Sequence, residues 1–164
     1  MVGLVYPLES LMLKPGDINH LPGIVMSSLI HDSWRHLIYN LTCLSLLYFF
    51  LINGKQTVSP VLDSFILIIV SNMAVFLIGN ESYLYLGASN LIYALVGYGL
   101  GSIVLQRKIS FLIPIALLSG LLLTGLNFND SRVSYLSHYL GALVGIGLYL
   151  YRFYGRKLLD YEQM

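Results

Sequence analysis

Charge is what this sequence has least of: Asp, Glu, Lys and Arg make up only 10% of its 164 residues, where soluble domains carry about 25%. A water-soluble fold needs polar side chains to cover its surface, and a chain this short cannot hide so much apolar area in one core. Hydrophobic residues reach 57% and the mean hydropathy is +0.75, so the lipid bilayer is the expected solvent. Cysteine is nearly absent as well. The one present, Cys43, lies in an apolar run, which excludes an intrachain disulfide and any multi-cysteine metal site. Basic residues are few and scattered, and the formal net charge is +1, so there is no basic stripe for nucleic acid. The opening MVGLVYPLES lacks the basic-then-apolar order of a cleavable signal peptide. Membrane entry is therefore expected to depend on internal helices.

What the sequence does have is long apolar runs. Five approach the roughly 20 residues that a spanning helix needs. They are expected at Arg35–Ile52, Val61–Ile78, Gly87–Leu105, Ile109–Leu126 and Tyr135–Tyr151. Asn53-Gly54 stops the first, Ser59-Pro60 opens the second, and Gly79-Asn80 closes it. Gln106-Arg107-Lys108 ends the third, Pro114 bends the fourth, and Arg152, Arg156 and Lys157 follow the fifth. The expected organisation is an outer loop with short helical pieces over 1–34, a transmembrane domain over 35–152, and a basic cytoplasmic tail over 153–164. Basic residues orient the spans. Lys55, Arg107, Lys108, Arg152, Arg156 and Lys157 fall on one side, against Lys14, Arg35 and Arg132 on the other. The C-terminus is therefore expected in the cytoplasm. The fold class is all-α, a polytopic transmembrane helix bundle.

Polar residues at membrane depth are costly unless they pair, so each needs a reason. Three groups cluster at the outer ends of the spans. His36 and Asn40 are four apart and share one helix face. Ser89, Tyr93 and Gly97 form one stripe at the start of the third span, just after Gly87. His138, Gly141 and Gly145 share a face of the last span. A serine becomes a nucleophile only with a base beside it, and histidine supplies one near neutral pH. Asn and His side chains are donors suited to an oxyanion. Gly141 and Gly145, facing Gly97 and Gly101, allow the last helix to lie close to the third. That approach would bring Ser89 and His138 within hydrogen-bond reach.

Taken together, His31-x4-His36-Leu-x2-Asn40, Gly87-x-Ser89-x3-Tyr93-Ala-Leu-x-Gly97-Tyr98 and His138-x2-Gly141-x3-Gly145 resemble the rhomboid family of intramembrane serine proteases in order and spacing. The resemblance covers about residues 31–145. It implies a rhomboid-like bundle in which Ser89 is the nucleophile of a Ser–His dyad and His138 its general base. It implies an oxyanion hole from the Ser89 N–H with His36 and Asn40. Tyr93 would stack beneath His138, His31 would support the first outer loop, and Gly87, Gly141 and Gly145 would support the site. The implied substrates are single-pass transmembrane proteins, cut near the outer end of the helix. No metal or other cofactor is implied, and the setting is the cell (inner) membrane. A subgroup that processes C-terminal sorting tails, the rhombosortases, also fits the size. Three positions depart from the family pattern. Asn90 stands where Gly usually follows the serine, five spans are found where the family core has six, and Pro22-Gly23 replaces a Trp-Arg pair. These departures motivate the alternative of a catalytically inactive pseudoprotease that binds membrane helices.

Each residue also has a plainer explanation. Ser89 alone would be a packing serine, His138 an interfacial histidine bound to a loop, and His36 with Asn40 a polar helix cap. The histidines His31, His36 and His138 lack a carboxylate at ligand spacing within the helices, which disfavours a metal site. His20 has no assignable partner and is expected to be an exposed loop residue. Asp63 lies near the inner end of its span, too far away to join the outer cluster. A transporter or channel would need polar residues through the bilayer centre, and here they gather at one end.

Overall fold

Apolar runs with capped ends become helices, and among the described residues four of them are long. The computed structural model describes residues 6–53, 59–107, 112–113 and 135–162. In chain order the α-helices are α1 (Gly23–Met26), α2 (Trp34–Asn53), α3 (Pro60–Ile78), α4 (Ser89–Gln106) and α5 (Tyr135–Glu162). Short 3-10 turns at Tyr6–Leu11, Ile18–His20 and Ser27–Leu29 fill the segment ahead of α2. Among the described residues no strand forms. Leu13 and Tyr85 make an isolated antiparallel bridge, which ties that first segment to the turn before α4. The chain is an all-α bundle. By length and composition α2, α3 and α4 can each cross a membrane. The span expected at Ile109–Leu126 lies outside the described residues apart from Leu112 and Ile113.

Local chemistry explains the boundaries. Ser59 caps α3 by accepting the Leu62 N–H at 3.4 Å, and Pro60 occupies the first turn, where its missing N–H costs nothing. Gly79 closes that helix, donating its N–H to Val75 O at 2.7 Å. The last helix is longer than its apolar span. That span is expected to end at Tyr151 with a basic tail from 153, and α5 itself continues to Glu162. Arg and Lys end an apolar span without ending a helix, since both are good helix formers.

α4 is the central element. More than half of its length is buried, against about a quarter for α2 and α3. Its Leu91, Leu95 and Tyr98 meet Leu47 and Leu51 of α2, Leu67 of α3 and Tyr149 of α5 in one core. The outer faces of α2 and α3 remain apolar yet exposed, as at Ile38, Phe49, Val61 and Leu77. That pattern suits lipid, which solvates such side chains as well as protein does.

Glycine sets the α4–α5 spacing. A Cβ added at Gly97 would run into the backbone of Ala142, and one at Gly145 into the backbone of Ala94. The two backbones are therefore in direct contact. At the opposite end from Ser89, Asp63 of α3 is 2% exposed and pairs with Arg152 of α5. The partner resolves the placement of a carboxylate in an apolar helix, because an unpaired charge there is costly. The hydroxyls of Tyr48 and Ser64 join α2 to α3 at the same end.

Candidate active site

Ser89 is the first residue of α4, not the third residue of a span starting at Gly87. Gly87 lies in the turn ahead of it with φ +93°, a conformation that L side chains rarely adopt. Its N–H donates to Ser27 O at 2.9 Å. Space is the second reason for glycine here. A Cβ would lie 2.6 Å from Cε1 and Nε2 of His36 and 3.3 Å from Nδ2 of Asn40. Both α2 side chains thus lie over the turn that leads into Ser89.

α2 begins where Ser33 caps it, its Oγ accepting the His36 N–H at 3.2 Å. The position of His36 is fixed by Asp32, whose Oδ1 lies 3.0 Å from Nδ1. A carboxylate can only accept, so Nδ1 carries the hydrogen and Nε2 is the nitrogen presented to Gly87. His31 stands edge-on to His36, with ring centroids 4.9 Å apart. Its Nε2 is 2.8 Å from Asn40 Nδ2. An amide nitrogen only donates, so His31 Nε2 is the acceptor. The ring hydrogen is then on Nδ1, which faces Leu29 O at 3.3 Å. Assigned this way, the network leaves one amide hydrogen of Asn40 and one nitrogen of His36 for the space above Gly87.

From α5, His138 places Nε2 3.2 Å from Ser89 Oγ. Tyr93, one turn beyond Ser89, stacks on the imidazole at 4.1 Å between centroids and 13° between planes. The stack fixes the ring plane. Gly141 and Gly145 bring α5 close enough for this contact: a Cβ at Gly141 would collide with the Asn90 side chain. Tertiary packing therefore joins a hydroxyl and an imidazole that are 49 residues apart in sequence.

The matching family model is the Rhomboid domain, over residues 19–155. The chain belongs to the rhomboid family. Comparison with curated proteins and with solved structures gives no match.

This rhomboid protein contains several site features that motif spacing did not reveal. Asp32 holds His36 although it sits just outside the helix, and its four-residue offset from His36 was the available signal. Asn90, the departure from the family pattern, is buried and donates Nδ2 to Asn72 Oδ1 at 2.7 Å. Asn72 in turn donates to Ile24 O at 2.8 Å. His20 corrects an expectation: it is half-buried, with Nδ1 2.9 Å from Met12 O.

His31 gives the site a pH dependence. Burial, with repulsion from His36 second, pushes its imidazole below the ordinary value of 6.5. Between that lowered value and 6.5 the folded protein binds fewer protons than the unfolded chain, so acidification favours unfolding there. The contribution of His31 to stability is full above pH 6.5 and falls as pH drops from there through the lowered value. Protonation also turns Nε2 into a donor facing the Asn40 amide, which releases Asn40. A His31→Gln variant offers Asn40 an acceptor without titrating, so its thermal midpoint should fall less between about pH 6.5 and 5. Identical pH slopes in the two proteins would contradict this role.

Proposed function

We propose that this rhomboid protein is an intramembrane serine endopeptidase that cuts the membrane helices of single-pass proteins near their outer ends. The observation that carries this is the 3.2 Å approach of His138 Nε2 to Ser89 Oγ, at the end of the bundle where His36 and Asn40 also converge. In the reaction, Ser89 Oγ attacks the scissile carbonyl carbon while its proton passes to His138 Nε2. The carbonyl oxygen becomes an oxyanion, stabilised by the Ser89 N–H and the free Asn40 Nδ2–H, with His36 donating from Nε2 only when its ring carries both hydrogens. As the first residue of α4, Ser89 has an N–H with no acceptor in its own helix, which suits it to this role. As the intermediate collapses, the C–N bond breaks and His138 returns the proton to the leaving amine. Water then attacks the acyl ester, giving its proton to His138; the C–Oγ bond breaks, the acid product leaves, and His138 returns the proton to Ser89 Oγ.

The substrate helix must unwind locally, since its own hydrogen bonds shield the carbonyls from attack. Gly or Pro near the cut lowers that cost. The excess of basic residues beyond the inner helix ends favours a cytoplasmic C-terminus and an outward-facing site. The test is the purified protein in liposomes with a single-pass model substrate. The expected result is two fragments cut near the outer end of the helix. Stable substrate binding by the folded protein with no product would contradict the proposal and identify a rhomboid pseudoprotease.

A further inference from the structure

Asn90 directly follows the nucleophile and is 6% exposed, and Asn72, in the apolar outer half of α3, is 4% exposed. Their side chains share a 2.7 Å amide hydrogen bond. Asn72 Nδ2 also faces Ile24 O at 2.8 Å and the hydroxyls of Ser27 and Ser28 at 3.3 Å each. Ser27 O accepts the Gly87 N–H at 2.9 Å. The outer segment Gly23–Leu29 is thus tied to both flanks of Ser89: to Gly87 directly, and to Asn90 through Asn72. On its other side the Asn90 amide fills the space that a side chain at Gly141 would need, one turn along α5 from His138. The pair is therefore wedged among α3, α4 and α5 where the dyad distance is set.

We propose that Asn72 and Asn90 are positioning residues, which together fix the start of α4 so that Ser89 meets His138. This rests on the proposed serine chemistry. Neither side chain touches the reacting atoms in this account; they act by orienting Ser89. Burying two amides is costly unless they pair, so loss of one partner strands the other and relaxes the turn.

The experiment compares Asn72→Leu, which keeps the volume in an apolar helix, with Asn90→Ala and the double variant. Read-outs are the rate constant of Ser89 labelling by a fluorophosphonate, kcat and KM on the model substrate, and the thermal midpoint. Each single variant should lose about 10- to 100-fold in labelling rate and kcat at unchanged KM. The double variant should lose no more than the worse single one, because the two act as a unit. A purely structural pair would reduce the folded fraction, and so the amplitude of labelling, at an unchanged rate constant. That result, or additive losses in the double variant, would overturn the proposal. If either single variant fails to fold, the rate constant of the other decides. An unlabelled wild-type Ser89 would instead refute the serine chemistry itself.

Discussion

Replacing Ser89 or His138 by Ala is expected to lower cleavage of a single-pass membrane substrate by about 10⁴-fold or more, with the protein still folded. Ser89 opens α4, where Ala is a good helix former and leaves only a small void. His138 is half-buried, and among the described residues its ring meets the Ser89 hydroxyl and the Tyr93 ring. In the proposed mechanism, loss of either removes half of a unit whose parts act together. The double variant should therefore be no slower than the single ones, since effects within a catalytic unit are not additive. Cleavage in liposomes, with folding followed by thermal denaturation in detergent, checks both points. Substantial cleavage by Ser89→Ala would end the case for that nucleophile.

Gly145 should also be sensitive, to a smaller degree and for a different reason. Its missing side chain is where the α5 backbone lies against Ala94 of α4, and an added Cβ would also lie 2.8 Å from Tyr98 N. Neither obstacle is a flexible side-chain end, so Gly145→Ala must move a helix. His138 sits two turns away on the same helix, and an ångström of displacement exceeds what a productive hydrogen bond tolerates. We expect about a 10²-fold loss in kcat for Gly145→Ala, and a larger substitution such as Gly145→Leu should also destabilise the fold through overpacking. The Ser89 labelling rate and the thermal midpoint separate these two consequences. Wild-type labelling by Gly145→Ala would show that the dyad does not depend on this close approach.

The parts legible in the sequence are those governed by local periodicity. Apolar runs gave α2 and α3 to within one residue at the described ends, because Ser59, Pro60 and Gly79 cap or close helices through their own backbone chemistry. The His36/Asn40 and Ser89/Tyr93 stripes are legible because side chains four apart share a face, whereas the approach of His138 to Ser89 is tertiary. What escaped was set by non-local contacts. Asn72 reads as one polar residue in an apolar span, since its acceptor is a backbone carbonyl 48 residues away that leaves no mark in composition. The pairing of Asp63 with Arg152 escaped because that partner belongs to the last helix. The length of α5 escaped because charge marks where lipid ends and says little about where a helix ends.

The most direct measurement is mass spectrometry of the folded protein after exposure to a fluorophosphonate. The expected result is a single covalent adduct on Ser89, lost when His138 is replaced by Ala. A folded protein that takes up no label at Ser89, or labels equally well without His138, would contradict the pairing of this hydroxyl with this imidazole.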